Sequence, residues 1–214
     1  MLTIIPPHFS YQDAFLRMLE DYKQHDPGNG EYYQAAHVDF AGYVHALQKE
    51  EQGVDLLPGM VPCSHRWLID DGSVVGVVRI RHNIDTEYLA VEVGHIGYDV
   101  APSMRGRGYG IAALQAGLAR AQELGLERVL VCADTINPAS WRTIERCGGV
   151  LEVEKISAHY GLLYRRYWVP PTPLPHQNEK GGVEGDSESG LATRSSLPVW
   201  YNEVRPFLML PLPH

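Results

Sequence analysis

The chain has 214 residues, 44% hydrophobic and 21% charged, enough for one sizeable domain with an appendage and short for two. A formal net charge of −8 argues against a general nucleic-acid binder, and no apolar run approaches the ~20 residues that span a bilayer. The opening Met-Leu-Thr-Ile-Ile-Pro-Pro lacks the basic region and cleavage site of a signal peptide. Cys63, Cys132 and Cys147 share no CxxC spacing, so reduced thiols in the cytoplasm are expected.

Ser10 is placed to cap a first helix whose apolar face is Phe15, Met18, Leu19 and Tyr22, and the breaker cluster at 25–30 (His-Asp-Pro-Gly-Asn-Gly) ends it. A second helix is expected over 39–52, with Phe40, Tyr43, Val44 and Leu47 buried, followed by a loop over 57–63. A hairpin should join 66–69 to 74–80 through Asp70-Asp-Gly72. A strand over 91–100 then enters a glycine-rich turn. Beyond it, Ile111, Leu114, Leu118 and Ala121 mark a helix stopped by Gly125. The apolar run 129–133 is a buried strand, and Asn137-Pro138 opens another helix, with Asn as cap and Pro in the first position. Gly148-Gly149 closes it, and two strands follow near 150–156 and 162–169. This order predicts an α/β fold with a central mixed, largely antiparallel twisted sheet and helices on both faces. Residues 1–169 form the expected domain. Residues 170–214 carry eight of the chain's 15 prolines and a polar middle, the composition of a flexible tail.

The segment 97–110, Gly-Tyr-Asp-Val-Ala-Pro-Ser-Met-Arg-Gly-Arg-Gly-Tyr-Gly, carries the most chemistry. Glycines let main-chain amides approach a ligand, and the first turn of the next helix adds unpaired N–H groups and the positive end of its dipole. Such a turn suits a phosphate or pyrophosphate. A P-loop is excluded because no Gly-Lys-Ser/Thr ends the turn.

With a strand before this turn, a helix starting inside it and Asn-Pro-Ala-Ser140 one strand later, the chain resembles the GNAT superfamily of acetyl-CoA-dependent N-acetyltransferases. The resemblance spans residues 10–169 in element order and is most specific over 94–149, including His-Ile-Gly-Tyr98. It implies a fold splayed around a coenzyme A site. Arg105, Gly106, Arg107, Gly108, Tyr109 and Gly110 match the pyrophosphate-binding turn, and Tyr98, Asp99 and Val100 the strand that pairs with pantetheine. Asn137 and Ser140 match positions contacting the pantetheine arm. Asn137 also reads simply as a helix cap.

The implied reaction is attack of an amine on the acetyl thioester, with an amide near Val100 stabilising the oxyanion. Many members carry a tyrosine seven residues after Asn137 as general acid; here that position is Ile144, which holds no proton. Either another group serves or the thiolate, with a reference pKa of ~8.5, leaves unaided. Glu92, first, and Tyr98, second, share strand parity with positions that face the acceptor and are the candidate bases, whereas His95 has the opposite parity. Cys132 and Cys147 read as structural thiols. The ten histidines form no HxxxH or HxH pair, so no metal is expected. Glu31, Tyr32, Tyr33, the 57–63 loop and His159-Tyr160 are the expected acceptor wall, suited to a cationic small-molecule amine. Nucleic-acid and membrane partners are not expected, and homodimerisation is left open. A non-catalytic acyl-CoA sensor is the second reading, kept alive by Ile144.

Overall fold

A computed structural model describes residues 1–171. The tail expected from residue 170 onward therefore lies almost wholly outside the described residues.

Strand β1 (Thr3–Ile5) precedes a 3₁₀ turn (Phe9–Tyr11) and helix α1 (Gln12–His25). The His8 ring, not Ser10, accepts the capping N–H at this entrance, from Ser10 itself at 3.2 Å. Ala14, Phe15, Met18, Leu19 and Tyr22 form the buried stripe of α1. The breaker cluster ends α1 but does not become a loop. Pro27 sets a helical φ at a first-turn position, and the chain continues through α2 (Pro27–Gly30), a 3₁₀ turn (Glu31–Tyr33) and α3 (Gln34–Val38). Asp39 then caps α4 (Phe40–Gln52), its Oδ1 accepting from Gly42 N at 2.9 Å.

Strands β2 (Cys63–Asp70) and β3 (Ser73–Arg81) form the expected hairpin. Asp71 and Gly72, both at positive φ (46° and 72°), make its two-residue turn, the geometry that matches strand twist. A bulge leaves Val75 without a partner on β2, so Val74 and Val77 share one face although three residues apart. Strand β4 (Ile96–Val100) leads to a short 3₁₀ turn (Pro102–Met104) and helix α5 (Tyr109–Glu123). Strand β5 (Val129–Asp134), helix α6 (Pro138–Arg146), β6 (Val150–Ile156) and β7 (Leu163–Val169) complete the described chain.

One correction concerns the expected strand over 91–100. Residues Leu89–Val93 wind into a π-helical turn, and only Ile96–Val100 is strand. The turn closes at Gly94 (φ 80°, ψ −169°), a region essentially confined to glycine. The sheet is likewise split in two, ordered β1-β2-β3-β4 and β5-β7-β6, with every strand pair antiparallel. A single bridge, Gly94 to Val131, links them. There His95 N donates to Leu130 O at 2.8 Å, while the His95 ring Nδ1 accepts from Leu130 N at 3.0 Å.

Hydrophobic burial fills both faces. Phe15, Tyr33, Phe40, Val44, Trp67 and Val77 pack under the N-terminal helices, and Leu68, Val78, Ile96, Leu114, Leu118 and Tyr167 under α5 and α6. At Gly117 a Cβ would lie 3.0 Å from Ile96 Cδ1, so glycine is what lets α5 sit this close to β4.

A Cβ at position 94 would stand 2.4 Å from Leu130 O, in addition to the strained dihedrals. Gly94→Ala should therefore lower stability by about 2–3 kcal/mol. The check is a fall in the urea midpoint at unchanged slope.

Candidate active site

Beyond the Gly94 bridge, β4 and β5 part, and the edge of β4 facing β5 pairs with no described strand. The register fixes which groups lie on that edge. Arg81 N donates to His95 O and Ala101 N to Val75 O, so the His95 carbonyl, the main-chain groups of residues 97 and 99 and the Ala101 amide face β3. Alternation then turns the amides of Tyr98 and Val100 away from β3, into the opening between the sheets. This edge runs directly into the glycine turn. Gly106 (φ 78°) and Gly108 (φ 85°) are left-handed, and a Cβ at either would meet nothing within 4 Å. Among the described residues, no group bonds the amides of Gly106, Arg107, Gly108, Tyr109 or Gly110. Helix α5 starts with Gly108 as a cap that has no side chain to offer. The result is an exposed arc of donors at the positive end of a long helix.

Two side chains of this segment, Arg105 and Tyr109, are bonded back to the protein. Arg105 donates through Nη2 to Asp26 Oδ2 (2.5 Å) and through Nε to Val100 O (3.2 Å). Burial would raise the Asp26 carboxyl, but hydrogen bonds from Asn29 and Arg105 hold it below the usual carboxylate range. Tyr109 donates to Asp70 Oδ2 at 2.6 Å. Arg107 is exposed. Any anion at this turn would thus meet main-chain amides, with Arg107 the one arginine of the pair not committed to a carboxylate.

Side chains on β4 alternate as strand geometry demands. Tyr98 points toward α5 and α6, its hydroxyl 3.2 Å from both Ser140 O and Ser140 Oγ. Burial pushes its phenol up to about 12, with Ser140 opposing. Asp99 points the other way, under α1, where Arg79 Nη2 and the Tyr33 hydroxyl each lie 2.6 Å from its Oδ2. Val100 O also accepts from the Tyr22 hydroxyl at 3.1 Å. Asn137 Oδ1 caps α6 by accepting from Ser140 N at 3.1 Å, so its side chain is occupied as the simpler reading expects. Ile144 is wholly buried in the core.

Glu92 does not share a strand with Tyr98, because it lies on the π-helical turn; the parity argument for it lapses. It is half-buried there, its Oε1 accepting from Ala158 N at 3.1 Å in the β6–β7 loop. That turn instead gathers a cluster around it. The Tyr88 and Tyr160 hydroxyls are in direct hydrogen-bond contact, and the His159 ring stands edge-on to Tyr88 with centroids 5.0 Å apart. Tyr32 stacks on Arg79, whose Cζ is 4.6 Å from the ring centre. Of the expected acceptor wall, Tyr33 instead sits in the core, and the 57–63 loop is tied to His82 through Pro62 O. Tyr88, Arg79 and Asp26 were not singled out as site residues by sequence, and Arg105 was singled out for the turn but not for its bond to Asp26. Arg79 alone carried a signal, a cation inside the run Val-Val-Gly-Val-Val-Arg-Ile.

A family model for the acetyltransferase (GNAT) domain matches residues 8–150. The chain belongs to the GNAT acetyltransferase family. The match takes in α1 through α6 and ends where β6 begins. No curated protein matches the sequence. Solved structures similar to this one include RimL, the ribosomal L7/L12 alpha-N-protein acetyltransferase in complex with coenzyme A (17% identity, TM-score 0.60), covering 79% of this chain and 93% of that one. Another is the microcin C7 self-immunity acetyltransferase MccE with acetyl-CoA and AMP (17% identity, TM-score 0.58), with coverage of 79% and 92%. RimJ of Mycobacterium smegmatis in complex with CoA-disulfide has 19% identity and a TM-score of 0.60 over 79% of this chain and 81% of its own. At these identities the likeness concerns the fold. No helix among the described residues is long and apolar enough to cross a membrane.

In this GNAT domain the Arg79–Asp99 pair is the main polar anchor under the cleft edge, with side chains 12% and 28% exposed. Asp99→Asn leaves a buried guanidinium unpaired and should cost about 2–3 kcal/mol, below the range for fully enclosed pairs because Asp99 keeps some water. In denaturant titrations the double variant Arg79→Met/Asp99→Leu should lose less than the sum of the two single variants.

Proposed function

We propose that this acetyltransferase transfers the acetyl group of acetyl-CoA to a primary amine, with the amine attacking the thioester while both substrates are bound. The observation that carries this reading is the unpaired edge of β4 running straight into an arc of unbonded amides. An extended pantetheine arm is satisfied by strand-like pairing at Tyr98, beside the Val100 amide, and a diphosphate by the amides of residues 106–110. The cradle also fits by size, since a Cβ at Gly106 or Gly108 would project into open space. Asp99, whose main chain pairs with β3 and not with a ligand in the opening, contributes through its anchor to Arg79, Asn137 by holding the start of α6, and Ser140 by its contact with Tyr98.

Acetyl-CoA supplies an activated acyl group; the chain supplies position and proton control. Placing two reactants side by side is worth ~7–11 kcal/mol of barrier. The Val100 amide, directed into the opening, is the donor assigned to the developing oxyanion. Glu92, a half-buried carboxylate with one hydrogen-bond donor on it, is the base for the ammonium. Tyr98 is reassigned from base to proton donor: with its phenol near 12 it keeps its proton at neutral pH.

A small cationic amine is the proposed acceptor. Tyr32, Tyr88 and Tyr160 provide aromatic faces, and Glu92 and Asp134 lie within electrostatic reach of Tyr160. Three thiols, none in a disulfide, accord with a reducing cytoplasmic setting. Ile144, buried where family members present a general acid, favours the second reading of an acyl-CoA sensor. Acetyl-CoA consumption across a panel of amines, amino acids and peptides decides between them: turnover supports the enzyme, and binding without turnover the sensor.

Gly108→Trp should weaken acetyl-CoA binding about 100-fold in calorimetry, the equivalent of two amide–phosphate bonds at about 1.5 kcal/mol each. Unchanged affinity would remove the pyrophosphate assignment. Glu92→Gln should lower kcat at neutral pH at least tenfold while leaving the acetyl-CoA dissociation constant within twofold. A pH–rate profile identical to the parent's excludes Glu92 as base.

A further inference from the structure

A second chemical cluster borders the first, where the end of α4 covers the start of β2 and His65 lies opposite Arg79 in the β2–β3 ladder. Cys63 and His65 are two apart on β2 and therefore share the face beneath α4. Glu50, in the last turn of α4, reaches the same place: its Oε2 is 2.9 Å from His65 Nε2. One donor atom from each of the three residues lies within 4.8 Å of the others. Cys63 and His65 are buried, and the Glu50 side chain is 15% exposed.

We propose that Glu50, Cys63 and His65 bind a zinc ion that clips α4 to β2 across the loop formed by residues 53–62. A thiolate, an imidazole and a carboxylate together are a borderline-soft donor set, matched to zinc and not to calcium or magnesium, which take oxygen ligands. Three protein ligands leave one tetrahedral position for water. A metal-bound sulfur is a thiolate and a metal-bound imidazole is neutral at the bonded nitrogen, so zinc enters as protons leave these ligands. Because the ligands flank the 53–62 loop, the ion holds both of its ends. The histidine spacing of the chain gives no hint of this, since the carboxylate comes from a helix and the thiol replaces a second imidazole.

The test uses the tag-free full chain, stripped with a chelator and titrated with cobalt(II) and zinc. One equivalent of zinc should survive gel filtration. Cobalt should give a thiolate-to-metal charge-transfer band that zinc abolishes. The band should be lost in Cys63→Ser and kept in Cys132→Ser and Cys147→Ser. Zinc should raise the melting temperature of the parent and not of Cys63→Ser. Should Cys63→Ser fail to fold, Glu50→Gln decides, with loss of zinc retention and unchanged acetyl-CoA binding expected. Absence of stoichiometric zinc in the parent, a band that survives Cys63→Ser, or undiminished retention in a folded Glu50→Gln each overturns the proposal.

Discussion

The fold turns on two adjacent residues, Gly94 and His95, where two antiparallel sheets meet and then separate. Gly94 adopts dihedrals that a side chain would forbid and presses against Leu130 O, leaving no space for a Cβ. His95 completes the junction with its side chain: the ring Nδ1 accepts the Leu130 N–H that a continuing ladder would have bonded to main chain. That role requires an unprotonated nitrogen. Burial, aided by the nearby Arg81 charge, lowers the imidazole to about 4, so it is neutral at physiological pH. With the ladder ended in this way, the backbone of β4 beyond it is released to face the opening.

An unpaired strand edge is a liability unless something holds it in place. Here β4 is fixed from its opposite side and from below. The ladder to β3 holds residues 97, 99 and 101. Asp99 is gripped by Arg79 and Tyr33, and Val100 O by Tyr22 and Arg105, with Arg105 in turn bonded to Asp26. The N-terminal helices thus clamp the cleft edge as well as covering the core. This also explains why the Arg105 side chain is bonded to the protein, leaving the amides and Arg107 as the exposed chemistry of the turn.

Elements with local chemistry were legible in the sequence. Asp71-Gly72 specified its hairpin because both residues accept positive φ, Asn137 marked a helix start by capping, and the glycines at 106 and 108 shaped the turn. The failures share one cause, competition from longer-range structure. Leu-Ala-Val-Glu-Val reads as an alternating strand, yet Gly94 and the crossing to Leu130 wind it into a π turn. The breaker cluster ended α1 as expected, but the helical course of 27–38, where Tyr33 and Ala36 pack under α1, carried no local signal. The division of the sheet had no local signature, because it depends on a histidine acting as a backbone substitute. Of the cleft, the glycine turn with its unbonded amides was readable and the tyrosine cluster was not: Glu92 and Tyr88 come together only through a turn that the pattern concealed.

Ile144 acquires a different meaning once its surroundings are known. It is completely buried, and a Cβ on Gly149 would fall 2.5 Å from its Cγ2. Position 144 in this chain belongs to the packing beneath α6, so a phenol placed there would have to displace core before it could reach the cleft. The proton donor of the proposed reaction must then come from another element. Tyr98 is already on the cleft strand, its ring within 3.7 Å of where a Cβ on Gly110 would lie and its hydroxyl against Ser140. Burial favours its protonated form, the form a donor needs. An apolar residue on α6 and a desolvated phenol on β4 are thus compatible with the proposed reaction, in which the strand assigned to the thioester would also carry the proton.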